Sequence, residues 1–337
     1  MSEQIDIAVD LGAAPPSLPD ILTLRQLAEL APPKPPMLIQ GVLHQGCKLI
    51  LAGTSKTNKS WCLLDLAVSV AAGQSWWGRQ CTKANVLYIN FELHPWAIAE
   101  RLNAIASSRP DCKGIGDTLH IWNLRGHNTD LTLLRPKIEE RINLHHFGLI
   151  ILDPAYKVLG DRDENANGEI AGLMNELEQL AQNSGAAIVI AHHFAKGDST
   201  SKHAIDRMSG AGAWARDPDS ILVMTPHEED GCFTVTPILR NLPRLPEFVV
   251  EWSFPLMKLT TDLDPDSLRR PQAKNKVCTD REFIQHYISD TPCSRAAIVK
   301  AAAGAGISRA TADRYLNRLS ESGAICSGGG LYWVRNP

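Results

Sequence analysis

A loop between an apolar strand and an apolar helix constrains this chain more than any other feature. Residues 48–52 form an apolar run that ends at Gly53, four residues follow, and Asn58-Lys59-Ser60 then opens an apolar helix. The spacing fits G-x-x-x-x-G-K-[ST], except that Asn58 stands where the second glycine belongs. Asn tolerates a positive φ better than other non-glycine residues, so the pattern is weakened without being broken.

The chemistry of such a loop favours nucleotide phosphates. Backbone N–H groups of the loop and of the helix N-terminus attract anions. Lys59 would reach the β- and γ-phosphates and the Ser60 hydroxyl would bind Mg²⁺, whereas the Lys56 side chain is expected to be solvated. With ATP as the nucleotide, the predicted binding residues are Gly53, Thr54, Ser55, Lys56, Thr57, Asn58, Lys59, Ser60 and Trp61.

Asp153 ends a second apolar strand, residues 147–153. Ligands of parallel α/β sheets lie beyond the carboxyl ends of the strands, so Asp153 is predicted to hold Mg²⁺ together with Ser60. The alternative is that Asp153 only caps the loop before Pro154.

Glu92 follows another apolar run, residues 85–91. A carboxylate beside the γ-phosphate can orient and deprotonate water, so Glu92 is predicted to be the general base. It could instead supply a negative charge to the N-terminus of a helix that begins near Pro95.

Two adjacent histidines, His192 and His193, end a further strand. Alternation along a strand sends one side chain to the core and the other outward. A neutral imidazole there could contact the γ-phosphate and report its loss. The sequence does not choose firmly between the two histidines, and His193 is the one named as catalytic. Either histidine could equally be an ordinary core residue.

The order of predicted elements indicates an α/β fold with a mainly parallel twisted sheet, since strands and helices alternate from Leu38 to about Lys258. A polar stretch follows, and then three short helices and a glycine-rich hairpin that suggest a small winged helix-turn-helix domain. The predicted segments are an N-terminal arm at 1–37, an ATPase domain at 38–260, a linker at 261–280 and the winged domain at 281–337.

Composition places the chain among ordinary globular proteins. The net charge is −3, but the residues from 281 onward carry seven Lys and Arg against four Asp and Glu, a hint of an anionic partner. The eight cysteines show neither a C-x-x-C pair nor zinc spacing, which favours a reducing cytoplasm. No apolar run suggests a membrane span or a signal peptide, so no membrane partner is expected.

Taken together, the phosphate loop, Glu92, Asp153 and the His192-His193 pair stand in an order that resembles the RecA-like P-loop ATPase core. The order is most similar to the RepA-like replicative helicases of plasmids and phages. The resemblance covers residues 38–258 and implies a phosphate loop, a catalytic glutamate, a magnesium aspartate and a histidine sensor. It also implies a homo-hexameric ring with single-stranded DNA in its channel.

The resemblance also implies an arginine finger that acts on the site of a neighbouring subunit. Residues 237–244 look like the strand-end segment that carries this finger, which makes Arg240 the first candidate. Guanidinium charge stabilises the transferring phosphoryl group. The alternatives are Arg216, Arg207 and Arg244, and each could be an ordinary surface arginine.

Two regions are predicted to contact DNA. In a RecA-like ring the loops at 160–168 and 196–208 would face the channel. The second loop carries Lys196, Lys202 and Arg207 for a phosphate backbone, whereas the first loop is acidic and is expected to serve a different contact. The candidate recognition helix of the winged domain carries Arg309, Arg314 and Arg318, suited to duplex DNA. This helix could instead dock a protein, with its arginines solvated.

Three functions compete. The first is an ATP-driven DNA helicase for plasmid or phage replication, served by a separate primase or initiator chain. The second is a non-motor DNA-binding ATPase, a recombination mediator or loader. The third is a winged-helix DNA-binding regulator with a degenerate ATPase core. Retention of Lys59, Ser60, Glu92 and Asp153 argues against the third.

Overall fold

The computed structural model describes residues 20–31, 33–127, 130–193, 212–269, 279–305, 307 and 309–334. The helices in these ranges are α1 Leu24–Leu30, α2 Lys59–Ala72, α3 Pro95–Ser108, α4 Leu131–His145, α5 Asn167–Ser184, α6 Ala213–Arg216, α7 Asp280–Tyr287, α8 Arg295–Gly304 and α9 Arg309–Glu321. The strands are β1 Met37–Ile39, β2 Leu43–His44, β3 Lys48–Gly53, β4 Asn85–Asn90, β5 Leu119–Asn123, β6 Phe147–Asp153, β7 Ala187–His193, β8 Ser220–Pro226, β9 Cys232–Leu239, β10 Phe248–Ser253, β11 Leu256–Thr260, β12 Cys293–Ser294, β13 Cys326–Gly328 and β14 Leu331–Trp333.

A nine-stranded sheet forms the centre of the fold, in the order β11-β10-β9-β8-β3-β7-β6-β4-β5. The six strands from β8 to β5 in this order run parallel to one another. Strands β9, β10 and β11 continue the sheet in antiparallel fashion from β8. The prediction of an α/β fold with a mainly parallel sheet is therefore confirmed.

Both faces of the sheet are covered, which explains why its central strands are apolar throughout. Every residue of β3 and of β6 is buried. Leu49 and Leu51 belong to the core cluster that contains α2 and α3, whereas Ile50 and Ala52 belong to the cluster that contains α4 and α5. The alternation of side chains along each strand thus fills two cores.

The strand order places the chemically important strand ends side by side. Strand β7 lies between β3 and β6, and Gly53 of β3 is paired in register with His193 of β7. Strand β4 lies on the other side of β6, where Asn90 is in register with Asp153. The ends of four parallel strands therefore open onto one edge of the sheet.

The described residues up to Pro36 belong to one compact unit, and a second unit begins at Met37. Helix α1 of the first unit begins at a capping box, in which the Thr23 side chain accepts from the backbone N–H of Gln26 and the Gln26 side-chain oxygen accepts from the backbone N–H of Thr23. The capping box satisfies backbone donors that the first helical turn leaves free.

The C-terminal elements have a core of their own. Helices α7, α8 and α9 surround it, and the rings of Phe283 and Tyr315 stack with centroids 4.5 Å apart. The predicted two-stranded hairpin is a three-stranded sheet, because Cys293–Ser294 pairs with β14 beside β13. A two-residue strand carries no periodicity, and so the sequence did not indicate it.

Part of the segment expected to be a linker lies against the central sheet. Residues 261–269 follow β11, and backbone hydrogen bonds join Glu228 to Ser267 (2.9 Å) and Arg269 to Pro226 (3.0 Å). The Thr234 hydroxyl also donates to the carbonyl of Pro265 at 2.8 Å. A free linker would lack such bonds. Within the described ranges, no helix is long and apolar enough to cross a membrane.

Candidate functional site

The phosphate loop adopts the backbone shape that its pattern requires. Asn58 precedes α2 in the left-handed region, with φ 56° and ψ 27°. Glycine reaches this region without strain, and Asn does so more readily than other residues. The departure from the glycine pattern therefore leaves the turn into α2 intact.

Gly53 stands at a position with no room for a side chain. A Cβ atom there would lie 3.0 Å from Thr57 Oγ1 and 3.2 Å from the carbonyl oxygen of Met224. Because the Met224 contact is with backbone, relief would require β8 to shift. The first glycine of the pattern is thus fixed by packing against the neighbouring strand.

Lys59 is the first residue of α2, and its buried side chain lies against the phosphate loop. Its ammonium group donates to the carbonyls of Gly53 (2.9 Å) and Thr54 (2.8 Å) and lies 3.1 Å from His193 Nδ1. Burial lowers the pKa of Lys59 to about 8, against the opposing influence of Asp153 and other anionic groups. The lysine is positioned for anionic oxygens that would replace these carbonyl partners.

Asp153 is buried at the end of β6 and is held by two hydroxyl groups. The Tyr88 hydroxyl donates to its Oδ2 at 2.5 Å, and the Ser60 side chain donates as well. Burial raises the pKa of Asp153, while these two hydrogen bonds act in the opposite direction. Ser60 and Asp153 form a pair of hard oxygen donors, the type that Mg²⁺ prefers.

Glu92 follows β4 in a turn that Asn90 stabilises. The Asn90 side-chain oxygen accepts from the backbone of Leu93 at 2.9 Å, and its amide donates to the Leu93 carbonyl at 2.7 Å. Oε1 of Glu92 accepts a short hydrogen bond from the hydroxyl of Tyr156. Glu92 reaches the same pocket as Lys59.

The two histidines take different roles in the fold. His193 faces Lys59, and burial together with the nearby Lys59 charge lowers its pKa, so the neutral imidazole can accept from the ammonium. His192 points to the opposite side, where its ring stacks on Trp214 with centroids 4.2 Å apart. Burial lowers the pKa of His192 to about 3. Of the two histidines, the one predicted as a phosphate sensor is the one that faces the site.

These side chains line one pocket of about 250 Å³. Arg101 of α3 also lines the pocket, and its guanidinium lies over the ring of Trp61 at 4.7 Å. The full lining comprises Lys56, Thr57, Asn58, Lys59, Ser60, Trp61, Glu92, Leu93, Arg101, Asp153 and His193. Of the predicted loop residues, Gly53 and Thr54 contribute their carbonyls to Lys59, and Ser55 is exposed beside them.

The sequence did not indicate three residues of this pocket region, Tyr88, Arg101 and Tyr156. Tyr88 lies within an apolar strand and Arg101 lies in mid-helix, where an arginine is usually solvated. Tyr156 belongs to a short 3₁₀ turn, Ala155–Val158, after Asp153. Only the sheet register and the approach of α3 bring these side chains to the site.

The candidate finger, Arg240, does not join this pocket. It follows β9, whose last residue, Leu239, pairs with Ser220, and Ser220 pairs with Leu49 near the start of β3. Arg240 therefore lies at the opposite edge of the sheet from the phosphate loop, and its side chain is exposed. The alternatives Arg216 and Arg244 are also exposed, and Arg207 lies outside the described residues.

Of the residues predicted to contact DNA, the structure describes the arginines of α9 but not the basic loop. Lys196, Lys202 and Arg207 lie outside the described residues. On α9, Arg318 forms an ion pair with Asp280 and lies over the Tyr315 ring at 4.8 Å. Arg309 lies 4.0 Å from Asp313, and Arg314 also interacts with other groups of the protein.

Neighbouring carboxylates thus partly offset the positive charge of α9. In the part of the chain that the structure describes, no cluster of three or more His, Cys, Asp and Glu side chains could hold a metal ion.

Two comparisons with known proteins bear on the chain. A solved structure described as an ATPase domain matches 62% of this chain and 82% of that chain, at 11% sequence identity and a TM-score of 0.47. A sequence model described as an AAA domain matches residues 13–199, more than half of the 337 residues. The chain therefore belongs to the AAA domain family of P-loop ATPases.

Proposed function

We propose that the chain hydrolyses ATP with Mg²⁺ at the pocket beneath the phosphate loop. The observation that carries this proposal is the convergence of Lys59, Glu92, Asp153 and His193, from four parallel strands or their following elements, on one pocket. Each of these side chains has the chemistry that phosphoryl transfer to water requires.

Each residue has a distinct task in this proposal. Lys59 exchanges its carbonyl partners for phosphate oxygens. The ammonium group forms stronger hydrogen bonds with charged phosphate oxygens than with neutral carbonyls. Ser60 and Asp153 would hold Mg²⁺, which would neutralise charge on the phosphates. Glu92 takes the proton of the attacking water. His193 lies within hydrogen-bonding distance of Lys59 and is placed to respond when the γ-phosphate leaves.

We propose further that hydrolysis is shared between copies of the chain in a homo-hexameric ring. Arg240 lies at the far edge of the sheet from the phosphate loop of its own chain, so a finger role for Arg240 would require the site of a neighbour. A head-to-tail arrangement that closes into a ring brings each such edge to the next subunit's site. The pocket of a single chain contains Arg101, but this residue is stacked on Trp61.

The most specific form of the proposal is a RepA-like replicative DNA helicase of a plasmid or phage. Its support is the motif order of the sequence and the basic residues at 196–207, which would contact single-stranded DNA in the ring channel. The winged helix-turn-helix domain would contact duplex DNA, and a primase or initiator would be a separate partner. A non-motor mediator or loader would share the ATPase site but lack strand separation.

ATPase and strand-separation assays on the full chain test this proposal. Lys59→Ala should lose nucleotide binding, whereas Glu92→Gln should bind ATP and lose turnover. Single-stranded DNA should stimulate hydrolysis by the parent chain. Turnover by Glu92→Gln at the parental rate would refute the base assignment. DNA-stimulated hydrolysis without strand separation would favour the mediator over the helicase.

A further inference from the structure

Lys56 holds a backbone conformation that its side chain does not favour. The residue lies in the phosphate loop with φ 67°, in the left-handed region. Only a few per cent of non-glycine residues adopt a positive φ, and lysine is not among the types enriched there. The position is therefore one at which glycine would fit without strain.

The other non-glycine residues with a positive φ in the described ranges each show a compensating feature. Asn58 and His146 belong to the residue types that enter this region most readily. Trp77 is buried and donates from Nε1 to the carbonyl of Met257 at 3.0 Å. The Lys56 side chain is exposed, and among the described residues it has no hydrogen-bond or ion-pair partner. No contact within these residues thus offsets the strain at Lys56.

The charges around the pocket indicate what the Lys56 side chain would bind. The charged residues of the lining are three cations and two acids, namely Lys56, Lys59, Arg101, Glu92 and Asp153. Without Lys56 the two signs would balance, so Lys56 gives the lining its excess of positive charge. The charge of a nucleoside triphosphate is only partly neutralised by Mg²⁺. Such a ligand therefore gains from Lys56 a charge that the other lining residues do not supply.

We propose that Lys56 is a second phosphate-binding lysine, whose ammonium group contacts phosphate oxygens of the nucleotide bound by its own chain. This inference rests on the proposed function, because it takes the pocket as a nucleotide site. The loop pattern provides backbone N–H groups and Lys59 for the phosphates, and it includes no side-chain contact from the position of Lys56. The charged contact in the complex offsets strain that the free protein leaves uncompensated.

Three substitutions at Lys56 in the full chain separate its charge from its backbone strain. Lys56→Gly removes both, so the Tm of the free protein should rise by about 1–3 °C. Its affinity for Mg-ADP should fall about tenfold, as expected for loss of one hydrogen bond between charged groups. Lys56→Ala removes only the charge, so the affinity should fall equally at an unchanged Tm. Lys56→Arg keeps the charge and should keep most of the affinity.

Thermal unfolding of the free protein and equilibrium titration with Mg-ADP measure these effects. Mg-ADP is the probe because it lacks the phosphate that is hydrolysed, so the titration does not depend on turnover. A Tm that does not rise in Lys56→Gly would remove the strain on which the inference stands. A loss of affinity in Lys56→Arg as large as that in Lys56→Ala would also overturn it.

His146→Gly is the matched control for the release of strain. His146 is an exposed residue at the end of α4 with φ 47°, and it is not part of the pocket lining. This control should raise Tm as Lys56→Gly does and leave the affinity for Mg-ADP unchanged. A loss of affinity in both variants would assign the effect to the released strain and not to the Lys56 charge, and would overturn the inference.

The outcomes separate this inference from the function on which it rests. Lys59→Ala should lose Mg-ADP binding if the pocket holds a nucleotide. If it does so while Lys56→Gly and Lys56→Ala bind with parental affinity, the second lysine is overturned and the nucleotide site stands. Absence of binding by the parent chain would instead overturn the nucleotide site itself.

Mixed subunits test whether the contact lies within one chain. Lys59→Ala subunits carry an intact Lys56 beside a phosphate loop that does not bind nucleotide. Exchange of these subunits into Lys56→Ala protein should leave its reduced affinity unchanged, because each Lys56 serves its own loop. Recovery toward the parental affinity would place the contact across a subunit boundary and overturn the assignment to one chain.

Discussion

Tyr88 donates a hydrogen bond to Asp153, with 2.5 Å between its hydroxyl oxygen and Oδ2, and both side chains are buried. The two residues occupy adjacent strands, β4 and β6, on one side of the phosphate loop. Burial raises the pKa of both groups, so the tyrosine remains a neutral donor. The hydrogen bond orients the carboxylate that would hold Mg²⁺ and compensates part of its lost hydration.

Tyr88→Phe should destabilise the protein, because the buried carboxylate of Asp153 loses a hydrogen-bond donor. The free energy of unfolding should fall by about 1–3 kcal/mol. Mg²⁺ with ATP should restore part of this loss, since the cation supplies the missing compensation. Thermal unfolding with and without Mg-ATP measures both effects. An equal Tm for Tyr88→Phe and the parent would contradict the role given to this hydrogen bond.

Asn58 offers a test of how much the altered loop costs. Asn58→Gly should keep or raise ATP affinity and turnover, because glycine adopts the observed φ of 56° without strain. Asn58→Ala should lower stability by about 1–2 kcal/mol and weaken ATP binding, because alanine lacks the short polar side chain that lets Asn adopt the left-handed region. Thermal unfolding measures the stability of both variants, and nucleotide titration measures their ATP affinity. A severe loss in Asn58→Gly would reveal a contact specific to the Asn side chain.

The parts of the fold that the sequence predicted are those with strong local patterns. An apolar run followed by Gly53 or Asp153 marks a buried parallel strand and its functional end, and the sheet has both where expected. The short strands β1, β2 and β12 have no such pattern, because two or three residues are too few to show a periodicity. Strand β11 also went unpredicted, although it continues the sheet beyond β10.

The parts of the site that the sequence missed depend on register. Alternation alone could not decide between His192 and His193, and the pairing of His193 with Gly53 determines which one faces Lys59. Tyr88 looked like an ordinary strand residue until its register beside β6 placed it against Asp153. Tertiary placement, rather than residue type, gives these side chains their partners.

The pH dependence of nucleotide binding should follow Lys59. Its pKa is lowered to about 8 in the free protein, and phosphate oxygens would favour the charged form and raise that pKa in the complex. The charge is thus present below pH 8 and is lost as pH rises through 8 in the free protein. ATP affinity should therefore be constant below pH 8 and fall by up to about tenfold per pH unit above it.

Equilibrium titrations between pH 6.5 and about pH 9.5 measure this dependence, with Lys59→Arg as the control, because arginine stays charged over the whole range. The affinity of Lys59→Arg should be lower but independent of pH. A fall of equal steepness in both proteins would assign the titration to a different group.

Shared sites predict complementation between inactive subunits. Arg240→Ala and Lys59→Ala should each lose turnover, and their mixture should regain part of it. In a randomly mixed ring about one quarter of the interfaces would join an intact phosphate loop to an intact Arg240. ATPase activity before and after subunit exchange measures the recovery, and Arg281→Ala, at an exposed arginine of α7 that is not a finger candidate, is the matched control. Absence of recovery would demote Arg240, and a fully active monomer would contradict the ring.

The charges around Asp313 make the contact of α9 with DNA testable. Asp313 lies 2.9 Å from Arg295 and 4.0 Å from Arg309, and it partly neutralises both. If this surface binds duplex DNA, Asp313→Asn should strengthen binding and steepen its salt dependence by about one charge. Lys300→Ala, on the neighbouring helix α8, should weaken binding and reduce the slope by about one.

Duplex titrations over a range of salt concentrations measure these effects. The matched control is Asp117→Asn, which lies between α3 and β5 and not in the C-terminal helices. The control removes the same charge from the ATPase region, so it should leave the slope unchanged. A protein-docking role for the C-terminal helices predicts a different result, with DNA affinity insensitive to Asp313 and Lys300 alike. Such insensitivity would remove duplex DNA from the partners of this domain and leave the ATPase proposal untouched.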